Sequence, residues 1–218
     1  ISQGKAISDF ANRDVRILVV GNPCNTNCLI AMSNSKNIPS NRWFAMTMLD
    51  ENRAKAQLSI KSAIPVKHIS NMIIWGNHSS TQYPDFYNSL IKDNPTINII
   101  DDMKWLQNDF IEKVQKRGAE IISAKGSSSA ASAASAIIDT VKNIITPTPK
   151  NHYFSLCIIS DGSYDISPGL ISSMPCRSDG EKVTVFKGLT LNKFSREKIT
   201  QSIQELLEEK EAVKDLLN

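Results

Sequence analysis

The chain holds one set of residue types that could move a proton and grip an anion together. Asp50 and Arg53 lie three residues apart in Thr47-Met48-Leu49-Asp50-Glu51-Asn52-Arg53, where an apolar run gives way to helix-forming sequence. His78 ends a second apolar run, in Trp75-Gly76-Asn77-His78. An imidazole, with an ordinary pKa of about 6.5, accepts and returns a proton at neutral pH. A carboxylate on its other nitrogen would fix the tautomer and stabilise the cation. Guanidinium offers two parallel N–H donors to a carboxylate, which lysine cannot. The sharp reading is one site: Asp50 orients His78, His78 moves a proton, and Arg53 holds a substrate carboxylate.

Each residue also has a plainer reading. Aspartate is a preferred helix N-cap. Arg53 shares a helical face with Asp50, so the two could form a surface ion pair. A lone histidine after a strand is often structural or exposed, and spacing alone leaves Asp50–His78 one pairing among many. His68 and His152 lack such a setting. Asn22, before Pro23, is either turn punctuation or a donor to a ligand. Ser128, Ser129 and Ser132 are either helix-start residues or site lining.

Several elements must position these groups. Residues 1–12 read as a helix, with Ile1, Ala6, Ile7 and Phe10 as its apolar face. A buried strand over 15–21 stops at Asn22-Pro23, with Pro23 in the first turn of a helix over about 25–34. A second buried strand covers 43–49. It puts Asp50 at the carboxyl edge of a parallel sheet, where ligands bind in such folds. A helix over 50–62 and a strand over 72–75 follow. Residues 79–101 read as a polar loop. Residues 102–125 read as one helix with Trp105, Phe110, Val114 and Ile121 inward. A Gly/Ser/Ala run leads into a helix from near Ser127, with Ala133, Ile137, Val141 and Ile144 as its apolar set. Strands over 153–160, 170–176 and 183–186 are joined by tight turns, which makes an antiparallel layer. A closing helix covers 194–217, with Ser195 as N-cap and 205–214 facing solvent.

The fold class is therefore α/β. The last strands and helices of a doubly wound, Rossmann-type parallel sheet precede an α+β substrate and catalytic domain with antiparallel strands and long helices. The expected division is 1–50, the remainder of a nucleotide-binding domain, and 51–218. No G-x-G-x-x-G turn occurs.

Hydrophobic content of 41%, charged content of 22% and a net charge of +3 suit a globular protein. No basic cluster interleaved with aromatics implies nucleic acid. No apolar run reaches the roughly 20 residues that span a bilayer. Cys24, Cys28, Cys157 and Cys176 form no Cys-x-x-Cys pair, which fits reduced, buried thiols in a cytoplasmic protein. Cys24 and Cys28, one helical turn apart, lack the companion ligands that a metal site needs, so no metal is expected. Because the chain opens on Ile1, already within helical sequence, we expect it to be the later part of a longer polypeptide.

Longer stretches resemble a known family. Val19-Val20-Gly21-Asn22-Pro23-Cys24-Asn25-Thr26-Asn27-Cys28 is similar to the malate dehydrogenase segment V-V-G-N-P-A-N-T-N-C. Leu49-Asp50-Glu51-Asn52-Arg53-Ala54-Lys55-Ala56-Gln57 resembles L-D-H-N-R-A-K-A-Q. The stretch from Asn71 to Asp85 resembles N-x-I-I-W-G-N-H-S-S-T-Q-Y-P-D of the cytosolic type, and Phe194-Ser195-Arg196-Glu197-Lys198 matches near the end. The resemblance implies an NAD-dependent malate dehydrogenase of the tricarboxylic acid cycle, cytoplasmic and homodimeric, with malate and oxaloacetate as substrates. It implies that His78 accepts the hydroxyl proton, with Asp50 as its partner, and that Arg53 binds the carboxylate beside the reacting carbon. Asn22 would touch both substrate and nicotinamide. Ser129 would line the substrate site, while Gln3, Val20 and Gly21 would contact the cofactor. Glu51 stands where the family usually has histidine, and Met48 where it usually has arginine. The family's glycine-rich turn and the loop that separates malate from lactate precede the matched region, so a lactate or other 2-hydroxyacid dehydrogenase is the alternative. A fragment inactive on its own is another.

Overall fold

The computed structural model describes residues 1–217. The chain opens with α1 (Ser2–Phe10), β1 (Ile17–Val19), α2 (Cys24–Ser33), β2 (Trp43–Ala45) and α3 (Met48–Ser62). Helix α1 does not bury the expected face. Its buried residues are Gly4 and Ser8, while Phe10 is 89% exposed. The cause is close helix contact: a Cβ on Gly4 would collide with the Ala31 backbone of α2, so α1 packs there backbone against backbone. Asn37 then reaches α1, its backbone N–H donating to Ser8 Oγ (3.1 Å) and its amide to Ser8 O (3.0 Å). Pro23 is the N-cap of α2 and not a residue of its first turn.

The middle of the chain carries β3 (Ile69–Ser70), β4 (Ile73–Trp75), β5 (Tyr83–Asp85), β6 (Leu90–Ile91), β7 (Asn94–Pro95) and α4 (Thr96–Ile99). The expected polar loop over 79–101 thus contains structure. Turn formers in the sequence hide Tyr83, Phe86 and Ile91, all fully buried. Next come α5 (Met103–Trp105), a π-helical turn (Leu106–Phe110) and α6 (Ile111–Lys125). The π turn shifts the register, so adjacent Phe110 and Ile111 are both buried.

The remaining elements are α7 (Ala130–Ile145), β8 (Phe154–Ile159), β9 (Ile171–Ser178), β10 (Val183–Val185) and α8 (Lys193–Ala212). Helix α7 buries Ala136, Thr140 and Ile144, four residues apart, and leaves Val141 exposed. The N-cap of α8 is Asn192, whose side chain accepts from Ser195 N–H (2.8 Å). Ser195 lies inside the first turn, fully buried, with its hydroxyl 2.9 Å from Tyr83 Oη.

Five strands form one sheet in the order β1-β2-β8-β9-β10. β1 and β2 run parallel, with Leu18 opposite Phe44. β2 meets β8 antiparallel at Ala45 and Cys157, and β8–β9–β10 continue antiparallel. A parallel opening and an antiparallel continuation are therefore both present, as the sequence implied. The main core gathers Trp75, Tyr83, Phe86 and Phe110. A smaller one holds Cys24, Cys28, Trp43 and Cys157. Burial pushes the Cys24 thiol up to about 11, so it is protonated and unreactive at neutral pH.

Candidate active site

Helix α3 starts earlier than the sequence suggested. β2 ends at Ala45 and the N-cap is Thr47, which makes no side-chain cap; its hydroxyl bonds Ser173 Oγ instead (2.8 Å). Asp50 therefore sits within the first helical turn, neither ending a strand nor capping the helix. The orphan N–H groups there favour an anion. Three residues on, Arg53 falls on the same face.

Asp50 is fully buried. Its Oδ1 accepts from Arg53 Nη1 at 3.1 Å, and its Oδ2 is hydrogen-bonded to His78 Nδ1. One carboxylate thus joins the imidazole and the guanidinium. Burial pushes the His78 pKa down, and it is the largest single influence. The charge of Asp50 and the bond to it push the other way, and together they prevail against burial and Arg53, leaving the pKa raised.

His78 is set by its backbone. Gly76 has φ +85°, a conformation open to glycine, and pairs with Ser173 of β9 through N–H···O bonds of 3.0 and 2.8 Å. Buried Asn25 of α2 accepts from His78 N–H (3.0 Å) and donates to Ile171 O (2.8 Å). The histidine therefore hangs between α2, β4 and β9.

These groups line a cleft of about 490 Å³. Val20, Gly21 and Asn22 line it at the carboxyl end of β1, with Met46, Leu49, Asp50 and Arg53 beside them. It is also lined by Gln115, Gly118, Ala119 and Ile122 of α6, and by Ser128, Ser129 and Ala133 at the start of α7. His78, Ser79 and Gln82 complete it. Seven of the eight residues given a role by the family resemblance thus meet in one hollow, joined by Ser128 but not by Ser132. Gln3 does not line it; it is exposed on α1. His68 and His152 are also outside.

Sequence reasoning missed Asn25, Gln82, Gln115 and Gly118. Gln115 Nε2 donates to Gln82 O (2.7 Å), tying α6 to the histidine segment. A Cβ on Gly118 would lie 3.7 Å from Arg53 Nη1. An isolated glycine inside a helical pattern was the available signal for it. The two family departures are accounted for locally. Glu51 accepts from Ser155 N–H (2.7 Å) and pairs with Lys55 (2.6 Å), while Met48 is buried in the main core.

The profile of the lactate/malate dehydrogenase α/β C-terminal domain matches residues 47–217. The chain belongs to the lactate/malate dehydrogenase family. Family relatives of known structure agree. Malate dehydrogenase from Naegleria fowleri is 43% identical with a TM-score of 0.93, the match covering 99% of this chain and 66% of that one. Trichomonas vaginalis lactate dehydrogenase, in complex with NADH and oxamate, is 32% identical with a TM-score of 0.93, over 99% and 67%. Plasmodium falciparum malate dehydrogenase, 20% identical with a TM-score of 0.86, shares the fold. The chain spans about two thirds of the length of these family members. Both malate and lactate dehydrogenases are among them.

Proposed function

We propose that this chain supplies the proton-transfer and substrate-binding part of an NAD-dependent malate dehydrogenase. The observation that carries the reading is Asp50 bridging His78 and Arg53 inside one cleft. With Nδ1 held by Asp50, His78 Nε2 takes the proton of the substrate hydroxyl. Asp50 stabilises the imidazolium that results. Arg53 binds the carboxylate next to the reacting carbon and so fixes which face of that carbon is presented. Ser129 and Asn22 line the substrate pocket.

The residues at the end of β1 fit a nicotinamide cofactor. Gly21 is exposed at the cleft, and nothing lies within 4 Å of a Cβ placed there. Val20, Gly21 and Asn22 would hold the cofactor's reactive end, with exposed Gln3 as a further contact. NAD, when bound, accepts the hydride from the carbon that bears the hydroxyl. In reverse, His78 returns its proton to the keto oxygen. Residues 1–50 would be the remainder of the cofactor-binding domain and 51–218 the substrate and catalytic domain, with Asn22 and Asp50 of the first reaching the substrate side; Asn218 lies outside the described residues.

Malate leads because the Naegleria malate dehydrogenase is 43% identical against 32% for the Trichomonas lactate dehydrogenase. Lactate is the second reading. Among the described residues Arg53 is the one guanidinium lining the cleft, and that suffices for a monocarboxylate. A cytoplasmic homodimer is part of the proposal. Ile138, Val141 and Ile145 form an exposed apolar stripe on α7 that a second subunit would cover.

The test joins this chain to the family's glycine-rich cofactor segment and follows NADH oxidation with oxaloacetate and with pyruvate. Preference for oxaloacetate supports the reading. Equal or greater use of pyruvate would replace malate with lactate, and no turnover with either would refute a dehydrogenase. The unjoined chain should show little or no turnover.

A further inference from the structure

The sequence placed residues 205–214 on a solvent face, yet two of their carboxylates point inward. Ser202, Glu205 and Glu209 recur at three and four residues along α8, so they share one side of the helix. That side lies against the segment that carries His78. Asn77 is 2% exposed. Its backbone N–H donates to Ser202 Oγ (2.8 Å), and its side-chain amide donates to Glu205 Oε2 (2.8 Å) and Glu209 Oε1 (2.7 Å). Both amide hydrogens are thereby used. Glu205 also accepts from Thr81 Oγ1 (2.6 Å) and from Ser79 Oγ. Glu209 accepts from Thr26 Oγ1, next to the Asn25 that holds His78 N–H.

Contact between α8 and this segment is close. A Cβ on Gly76 would collide with Ser202. Among the described residues no lysine or arginine pairs with Glu205 or Glu209. Partly buried carboxylates without a cation are costly where stability alone is at stake. As acceptors, however, they hold N–H and O–H donors more strongly than neutral groups do. Here the donors are Asn77, Ser79 and Thr81, within three residues of His78, and Thr26, next to Asn25.

We propose that Glu205 and Glu209 are positioning residues: from α8 they fix the side chains of Asn77 and Ser79, on either side of His78, and so hold the imidazole on Asp50. The inference rests on the proton-transfer role proposed for His78. It adds a helix far from the cleft in sequence to the shell that keeps the imidazole in place.

The variants are Glu205→Ala/Glu209→Ala, the conservative Glu205→Gln/Glu209→Gln, and Glu208→Ala, which removes an exposed carboxylate from the same helix. They are made in the joined enzyme, with His78→Asn alongside. The double alanine variant should lower kcat at least about tenfold while the KM for NADH stays within about twofold. The glutamine pair should recover most of that loss, and Glu208→Ala should match the parent. A structural role alone would lower the melting temperature and leave kcat per folded molecule unchanged, and that result overturns the proposal. If His78→Asn is severe while the double variant is silent, the positioning role falls and the proton-transfer reading stands. If His78→Asn is itself silent, the reading beneath falls. The chain alone gives a second readout. Its ¹⁵N imidazole spectrum should show His78 held with the proton on Nδ1, and the double variant should shift it toward mixed tautomers. An unchanged spectrum counts against the proposal. Should the double variant fail to fold, Thr81→Val, which removes one donor from Glu205, is read by the same spectrum with the same two outcomes.

Discussion

The carboxylate of Asp50 meets the imidazole of His78 across 28 residues of sequence, with Arg53 on its other oxygen. That contact makes two roles depend on one buried group. The acid holds His78 Nδ1 and steadies the Arg53 guanidinium; in the proposed reaction the other histidine nitrogen would take the proton and the guanidinium would orient the substrate.

Replacing Asp50 should therefore separate geometry from charge. Asp50→Asn keeps the size of the side chain but offers an amide where His78 Nδ1–H needs an acceptor. We expect kcat to fall by about 10²-fold or more. Steady-state assay of the joined enzyme checks this, and a loss under about tenfold contradicts the orienting role.

Arg53→Lys keeps the positive charge and removes the paired donors. The loss should appear mainly in use of the keto acid, with kcat/KM down about 10²-fold. NADH affinity, measured by fluorescence titration, should be unchanged. An unaltered kcat/KM would exclude the clamp.

Stability should depend on pH through His78. Its folded pKa is raised above the ordinary 6.5. The Asp50 contact therefore contributes its full stabilisation below that value and loses it as pH rises through the raised one. Urea unfolding of the parent and His78→Asn at pH values on both sides of the window measures this. The gap between the two proteins should be largest on the acid side and shrink toward the alkaline side. A gap that grows with pH is the wrong sign and would refute the assigned contact.

Two helical glycines should respond in opposite directions. Gly118→Ala places a methyl in ordinary contact with Arg53 and should stabilise the protein by up to about 1 kcal/mol. Gly4→Ala drives a methyl into the Ala31 backbone and should cost about 1–3 kcal/mol. Chemical denaturation distinguishes them, and equal effects would mean that α1 does not pack on α2 as described.

Much of this site was legible because its parts lie at strand ends and helix starts, where residue type and spacing are informative. Asp50 and Arg53 are three residues apart, and His78 follows a short apolar run, bounded by Gly76, that reads as a buried strand. What stayed hidden depends on packing. Glycine as an inward helical residue, as at Gly4, has no apolar signature. Tyr83 and Phe86 lie among turn formers that mask their burial. The carboxylates of Glu205 and Glu209 look like any charged helix face until α8 is laid against Asn77. The π turn at Leu106–Phe110 shifts a periodicity that a regular helix would keep.

The most direct measurement is single-turnover reduction of oxaloacetate by His78→Asn in the joined enzyme, with NADH binding followed in the same samples. NADH should bind with nearly parental affinity while the rate of hydride transfer collapses by well over tenfold. A rate within about tenfold of the parent, with the cofactor bound, would show that His78 does not carry the proton.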